Sequence, residues 1–387
     1  MYIEAEHSGL RRSIYLSALL IFSSCVRVHP DSEICAELRV ARTVSGSPGM
    51  GILVASSEGL LESCVVGERA VGSDDPVVIG DQWHWGSTGK AMTATLVARL
   101  VERDLIHWDN TIGEILMPVV PDIHPAYKTL TFRHLLSHTG GLVDALGDSE
   151  YAQFKGTFDG RNLRADRLLY VSLTLDEPPR FKAGERTEYT NVGYVVAAAM
   201  LETVTGESWE ELIQTELFSP LGISSAGFGP PGSIHTLDAP RGHRLQEDGK
   251  TLTPLAGPEA DNVPVIGPGG SIHMSLGDYS RFLVDHLRGA RRLAPTLLSL
   301  NNYEILHTPP FGYETTEPGE PVRGYGMGWV IKDNLLYHSG SNTIWLAFTM
   351  MWPDDDRVVV VVANEGRGDI LYPLFAELGE YARATSR

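Results

Sequence analysis

The sequence predicts an α+β fold in which strands from both ends of the chain form one sheet and a mainly helical segment lies between them. Strand-like runs near residues 51–66 and 343–363 flank a middle region rich in helical apolar patterns. Of the 387 residues, 43% are hydrophobic and 21% are charged. This composition is typical of a globular protein and excludes a largely disordered chain.

The predicted sheet has contributions from four strand-like runs. Residues 51–56 and 60–66 form the first pair, and residues 343–351 and 357–363 form the second. The core of the last strand is an unbroken run of valines, so we expect that strand to be buried at the centre of the sheet. A helix at residues 370–384 closes the predicted domain.

The middle of the chain predicts buried helices. Residues 89–103 and 192–204 are apolar on nearly every face, which favours helices with no solvent-exposed side. Ser208 and Glu211 form a capping box that begins a further helix.

These patterns divide the chain into two predicted domains. We expect an α/β domain from residues 36–105 and 300–387, and a mainly helical inserted domain from residues 106–299. A cleft between the two domains is the expected place for a ligand.

The N-terminus predicts a leader at residues 1–30. Arg11 and Arg12 precede a short apolar run at residues 13–24, which is shorter than the ~20 residues that a membrane span needs. A secretory or lipoprotein signal fits this pattern, with Cys25 as a candidate lipid anchor, and a buried N-terminal helix is the alternative. We therefore expect an exported protein, periplasmic or secreted.

Two cysteines bear on a possible disulfide, and the net charge bears on the binding partners. After removal of the leader, Cys35 and Cys64 could pair outside the cytosol, although the sequence does not decide whether they do. The formal net charge of −18 argues against nucleic acid, or an anionic membrane surface, as a partner. We expect a small-molecule substrate, while the oligomeric state stays open.

A serine and a lysine stand three positions apart at the start of the first buried helix. Residues at this spacing share one helix face, so the side chains of Ser87 and Lys90 should be neighbours. Desolvation favours a neutral lysine, which could take the proton of a serine nucleophile. The alternative is a helix-capping serine followed by a solvated lysine.

A tyrosine and an asparagine precede the second buried helix. The hydroxyl of Tyr189 could pass protons between nucleophile, lysine and leaving group. The amide of Asn191 could bind an acyl group or hold Lys90 in place. The alternatives are a core tyrosine and an ordinary N-cap asparagine.

A third motif follows a strand-like run near residue 337. Gly340 would let a substrate approach the strand edge, and the N–H of Ser341 could join that of Ser87 in an oxyanion site. His338 would lie beside them, or would be a hydrogen-bonded histidine in a turn.

Other patterns point away from competing functions. His134 and His138 lack the HExxH context of a zinc site and are interpreted as structural. Residues 325–328 lack the third glycine of a dinucleotide fingerprint. Trp85 stands where a Gly-x-Ser-x-Gly elbow needs glycine, which argues against an α/β-hydrolase. We expect no cofactor and no metal.

The three motifs occur in the order Ser-x-x-Lys, Tyr-x-Asn and His-Ser-Gly. In this order the chain resembles the serine β-lactamase and penicillin-binding-protein superfamily, in its class C-like branch of β-lactamases, D-aminopeptidases and carboxylesterases. Supporting segments lie at residues 131–142, 183–185, 193–194, 269–271 and 325–329. The resemblance implies a β-lactamase/transpeptidase-like fold: a mixed, mainly antiparallel sheet flanked by helices, beside a mainly helical domain.

The resemblance also implies roles for the candidate residues. Ser87 would be the acylated nucleophile, with Lys90 and Tyr189 as its proton-transfer partners, either of which could be the base. Asn191 would position substrate or Lys90. His338 departs from the pattern, because β-lactamases of this branch carry lysine there. Histidine is mostly neutral near pH 7, so it would hold a substrate carboxylate less strongly.

Together these observations predict a serine hydrolase that forms an acyl-enzyme on Ser87. A carboxylesterase acting on short- to medium-chain acyl esters is favoured. The alternatives are a D-amino-acid peptidase or amidase, a weak class C-like β-lactamase, and a non-catalytic protein that binds a cell-wall ligand.

Overall fold

The computed structural model describes residues 32–143, 146–312 and 323–385. The predicted leader, with Cys25, falls outside these described residues. Within them, no helix is both long enough and apolar enough to pass through a membrane.

The described residues form twelve strands and twelve α-helices. The strands are β1 (Gly49–Ser56), β2 (Gly59–Gly67), β3 (Gln82–His84), β4 (Gly227–Phe228), β5 (His243–Leu245), β6 (Leu252–Pro254), β7 (Ile272–Ser275), β8 (Arg323–Tyr325), β9 (Val330–Lys332), β10 (Leu335–Ser341), β11 (Leu346–Trp352) and β12 (Arg357–Ala363). The α-helices are α1 (Glu33–Ser45), α2 (Lys90–Glu102), α3 (Ile112–Ile115), α4 (Phe132–Leu136), α5 (Asp148–Ala152), α6 (Leu163–Thr174), α7 (Val192–Thr205), α8 (Trp209–Ile213), α9 (Ser219–Leu221), α10 (Leu276–Ala290), α11 (Leu300–Leu306) and α12 (Gly368–Thr385).

One seven-stranded sheet organises the fold, in the order β2-β1-β12-β11-β10-β9-β8. Strands from both ends of the chain meet where β1 pairs with β12, with Met50 opposite Ala363. The α+β class and the sheet built from both ends are confirmed. Each ladder of this sheet is antiparallel, so the parallel component of the expected mixed sheet is not found in it.

Helices cover both faces of this sheet. Helices α1 and α12 pack on one face, against alternate residues of β1 and β12 such as Ile52 and Val361. Helices α2 and α10 belong to the larger core on the other face, with Leu53 and Val360. The valines of β12 are fully buried because the strand lies between these two helical layers.

A disulfide joins Cys35 of α1 to Cys64 of β2, the pair whose bonding the sequence left open. It fastens the first helix to the edge of the sheet. Helix α1 itself was not predicted, although Ser32 caps its start through the backbone N–H of Cys35 and Gly46 ends it in the left-handed conformation.

The inserted segment contains more than a separate helical domain. Helix α10 lies within residues 106–299, yet it packs on β1, β2 and β12 of the main sheet. A small sheet in the order β3-β7-β4 also brings strands from this segment beside the start of α2. Helix α10 packs on the main sheet because an amphipathic helix buries its apolar face on the nearest apolar surface.

Candidate active site

Ser87 lies in a single 3₁₀ turn, Gly86–Gly89, that leads directly into α2. The predicted helix at residues 89–103 therefore begins as a tighter turn, with the serine on it. Gly86 has φ of +52°, in the left-handed region that favours glycine. Strand β3 fixes the approach to this turn through its pairing with β7.

Strand β10 lies against the serine turn with no room for side chains between them. A Cβ added to Gly340 would lie 2.0 Å from the carbonyl oxygen of Trp85 and 3.0 Å from the N of Ser87. A Cβ added to Gly86 would lie 2.5 Å from the N of Ser341. Glycine at both positions thus lets the backbone amides of Ser87 and Ser341 come close together, as an oxyanion site requires.

The amine of Lys90 is surrounded by acceptors. Its Nζ lies 2.6 Å from the side-chain oxygen of Asn191, 2.6 Å from the carbonyl oxygen of Gly269 and 3.1 Å from the Oγ of Ser87. A neutral amine has two N–H groups and one lone pair. If the two short contacts take the N–H groups, the lone pair faces the hydroxyl of Ser87.

The environment of Lys90 also favours its neutral form. The side chain is completely buried. Burial disfavours the charged ammonium and lowers the pKa of Lys90 to about 7. A large fraction of the amine is therefore unprotonated at neutral pH, as a general base requires.

Tyr189 borders the same site. Its hydroxyl interacts with Ser87, and the Nζ of Lys90 lies 4.9 Å from the centre of its ring. Desolvation raises the pKa of the phenol, and the hydrogen bond with Ser87 only partly offsets this. The residue as a whole is 50% exposed while its hydroxyl end is desolvated, so Tyr189 lines the open side of the site with its hydroxyl directed inward.

Asn191 does not use its side chain to cap a helix. It occupies the N-cap position of α7, but its side chain makes no capping hydrogen bond there. Its Oδ1 accepts the bond from Lys90 instead. Of the two roles that the sequence left open, the observed contact corresponds to holding the lysine.

His338 lies on β10, only 4% exposed, beside the three groups above. Its Nδ1 lies 2.6 Å from the carbonyl oxygen of Ser339, and its Nε2 lies 2.9 Å from the hydroxyl of Tyr325. Burial, with a smaller effect from nearby Lys90, lowers the pKa of His338 to about 3. The imidazole is therefore uncharged at neutral pH and both ring nitrogens have partners.

The structure brings together every site residue predicted from the sequence: Ser87, Lys90, Tyr189, Asn191, His338, Gly340 and Ser341. It also adds Gly269 and Tyr325, which sequence reasoning placed only in segments of resemblance. Residues 269–271 and 325–329 are glycine-rich runs that permit close backbone approach, so the sequence indicated these segments but not the contacts that Gly269 and Tyr325 make.

The two histidines interpreted as structural occupy different environments. His134, on α4, interacts with the hydroxyl of Thr131. His138 lies beyond that helix at φ of +60°, with its ring 4.4 Å from that of Tyr189. In the described parts of the chain, no group of three or more His, Cys, Asp or Glu residues is arranged to hold a metal ion.

These contacts define a class of protein. A nucleophile turn at the amino end of a buried helix, a lysine that faces the serine, and a glycine-bearing strand alongside are the elements of a serine acyl hydrolase. The chain belongs to the Beta-lactamase family, whose profile matches residues 39–370. It is a serine hydrolase of the β-lactamase and penicillin-binding-protein superfamily.

Individual relatives are distant. Penicillin-binding protein 4 of Amycolatopsis lactamdurans is 26% identical over 359 residues, which cover 88% of this chain and 87% of that protein. The octameric penicillin-binding protein homologue from Pyrococcus abyssi is similar in fold, with a TM-score of 0.70 and 23% identity over 89% of this chain and 76% of that one. EstCE1, a hydrolase with promiscuous acyltransferase activity, has a TM-score of 0.68 and 16% identity over 88% of this chain and 96% of that one.

Proposed function

We propose that this protein is a carboxylesterase that hydrolyses esters with short- to medium-chain acyl groups through an acyl-enzyme on Ser87. The observation that carries the choice of substrate is the uncharged, buried His338 at the edge of the site. Lysine at that place would be a permanent cation suited to a carboxylate. A neutral ester needs no such partner.

Acylation begins when the Oγ of Ser87 attacks the ester carbonyl carbon. The proton of Ser87 passes to the Nζ of Lys90, whose lone pair faces the hydroxyl. The amine is the more available base of the two candidates at neutral pH, because burial lowers the pKa of Lys90 to about 7 and leaves much of the amine unprotonated, while it raises the pKa of Tyr189 and keeps the phenol protonated. The resulting oxyanion accepts hydrogen bonds from the N–H groups of Ser87 and Ser341.

Collapse of the tetrahedral intermediate breaks the bond to the alcohol. The leaving alkoxide takes the proton from Lys90, with the Tyr189 hydroxyl as the bridge between them. A water molecule then attacks the acyl-enzyme, gives its proton to the same lysine, and releases the carboxylic acid and a protonated Ser87. Asn191 and Gly269 keep the amine of Lys90 oriented towards Ser87 in every step.

Two rival activities use the same chemistry. A D-amino-acid peptidase or amidase, or a weak β-lactamase, is favoured by the similarity to penicillin-binding protein 4. A β-lactam and a peptide that ends in D-alanine carry a carboxylate, for which the uncharged His338 offers no cation, whereas an amide of a D-amino acid carries a free amine and is distinguished from the ester by its rate. A non-catalytic binder of cell-wall ligands is disfavoured by the burial of Lys90 beside Ser87, because a buried amine without a carboxylate partner is costly to keep charged and is suited to act as a base.

Parallel kinetics separate these activities. Purified protein is assayed with a p-nitrophenyl butyrate ester, a D-alanine p-nitroanilide and a chromogenic cephalosporin, with Ser87→Ala as the control. The proposal predicts that the ester has the highest kcat/KM and that Ser87→Ala abolishes turnover and fluorophosphonate labelling. Higher kcat/KM on the anilide or cephalosporin would replace the esterase proposal, and labelling without any turnover would favour the binder.

We also propose that the protein is exported and that Cys25 carries a lipid anchor. The disulfide between Cys35 and Cys64 supports export, because disulfides persist mainly in oxidising compartments. Fractionation of cells that express the wild type and Cys25→Ala tests both points. Membrane association of the wild type alone supports the anchor, and cytosolic recovery of both would contradict export.

A further inference from the structure

The two amides of the proposed oxyanion site belong to separate segments of the chain. Ser87 lies on the turn after β3, whereas Ser341 ends β10. Donors stabilise an oxyanion only when both lie at hydrogen-bond distance from it, and misplacement by about 1 Å can cost roughly a hundredfold in rate. Some contact must therefore hold the two segments in register.

A buried aspartate lies between these segments. The Oδ2 of Asp261 lies 3.0 Å from the Nε2 of His84, and its Oδ1 accepts from the side-chain amide of Asn342 at 2.9 Å. The backbone N–H of Asn262 donates to the same Oδ1 at 2.7 Å. The side chains of Asp261 and His84 are only 2% and 0% exposed, so water does not compete for these bonds.

His84 connects the carboxylate to the serine turn. The backbone N–H of Gly86 donates to the Nδ1 of His84 at 3.2 Å. Because Nδ1 accepts this bond, the ring proton is on Nε2 and is donated to Asp261. The chain of hydrogen bonds thus runs from the carboxylate to the residue that immediately precedes Ser87.

Asn342 connects the other carboxylate oxygen to the end of β10. It directly follows Ser341, and its Oδ1 accepts from the backbone N–H of Ile344 at 3.4 Å. The amide group is therefore oriented with its nitrogen towards Asp261. The Asp261 carboxylate is therefore linked through the side chain of His84 to Gly86, which precedes Ser87. It is linked through the side chain of Asn342 to the end of β10, where Asn342 follows Ser341.

We propose that Asp261 is a positioning residue that sets the distance between the Ser87 and Ser341 amides through His84 and Asn342. The proposal rests on the proposed acyl-transfer function of Ser87, which uses those two amides. We call Asp261, His84 and Asn342 together the clamp. Loss of the clamp should weaken the binding of the transition state more than the binding of the substrate, since only the tetrahedral oxygen needs both donors.

The variant Asp261→Asn tests this directly. An asparagine can still accept from His84, but its NH₂ group then faces the NH₂ group of Asn342 and the N–H of Asn262. Because donors face donors, the contact between residue 261 and Asn342 should be lost. We expect kcat on p-nitrophenyl butyrate to fall roughly tenfold to a hundredfold while KM changes less than about threefold. The affinity for a phenylboronic acid, whose tetrahedral adduct places an oxygen in the oxyanion site, should fall in parallel with kcat.

A charge swap separates positioning from simple loss of folding. In the double variant Asp261→Asn with Asn342→Asp, the new amide donates to the new carboxylate and the bond to His84 is kept, while the backbone N–H of Asn262 still faces the new amide. The swap should therefore return part of the lost kcat, to at least roughly threefold above Asp261→Asn, whereas Asn342→Asp alone, with two facing carboxylates, should be the weakest enzyme. The exposed Asp122→Asn is the matched control and should leave kcat unchanged.

All rates are normalised to active sites titrated with fluorophosphonate, so unfolded molecules do not enter kcat. An Asp261→Asn enzyme with wild-type kcat and boronate affinity would overturn the clamp but leave the proposed function intact. So would a double variant no better than its single parents. If the wild type itself fails to react with fluorophosphonate and ester, the proposed function fails first.

Discussion

The amine of Lys90 donates to the side-chain oxygen of Asn191 across 2.6 Å, and that asparagine leaves the start of its own helix without a side-chain cap. Capping by asparagine stabilises a helix by about 1 kcal/mol, so the side chain forgoes a favourable local bond. The contact instead fixes the orientation of a buried base, which connects the electrostatics of Lys90 to the proposed reaction.

The pH dependence of the wild type should show the titration of Lys90. The amine must be unprotonated to accept the proton of Ser87, and its lowered pKa of about 7 means that this form disappears as pH falls. We expect kcat/KM on p-nitrophenyl butyrate to be level above pH 8 and to fall about tenfold per pH unit below pH 6. A profile that stays flat from pH 5.5 to 8 would contradict Lys90 as base.

Replacement of Asn191 by aspartate should move that titration. An opposite charge beside the amine favours the ammonium, so the pKa of Lys90 should rise by about one unit or more. The acid limb of kcat/KM should shift to higher pH in Asn191→Asp, with activity at pH 7 lower and partly recovered at pH 9. Asn301→Asp, at an exposed site, is the control, and equal shifts in both variants would refute the link.

His338→Lys should change the preference between charged and neutral substrates. Lysine would restore a cation that can bind a carboxylate, so kcat/KM for a cephalosporin should improve relative to the butyrate ester, by about tenfold or more in the ratio. Measurement of both substrates in wild type and variant gives this ratio directly. An unchanged ratio would show that the histidine does not determine substrate charge.

Gly340→Ala should disrupt the serine turn. The added methyl would lie 2.0 Å from the carbonyl oxygen of Trp85, so β10 and the turn must separate. We expect destabilisation of about 1–3 kcal/mol and loss of most activity, measured by thermal unfolding and ester kinetics. Gly277→Ala is the matched control, since its Cβ would meet no atom within 4 Å; comparable loss in both would rule out a specific clash.

The sequence predicted the parts of the fold that follow from regular patterns. The valine run of β12 and the helices α2 and α7 were predicted from continuous apolar runs of strand and helix length. Helix α10 was missed as a cover for the sheet, because its amphipathic pattern says that one face is buried but not against what. Helix α1 was missed beside a leader-like run that dominates the N-terminal composition.

The site was predictable to the extent that its chemistry depends on side chains. Ser87, Lys90, Tyr189 and His338 stand in short motifs, so residue type and spacing were sufficient. The carbonyl of Gly269 and the clamp at Asp261 were not predictable, because a backbone oxygen has no sequence signature and Asp261 is separated from both of its partners by long stretches of chain.

The pairing of β1 with β12 has a consequence for how activity arises during synthesis. This ladder joins positions near opposite ends of the described chain, and contacts so distant in sequence form slowly. Ser87 meets Gly340 only after β10 has emerged from the ribosome. A nascent chain that stalls earlier carries its nucleophile but no second amide, so the enzyme should stay inactive until β10 has been translated.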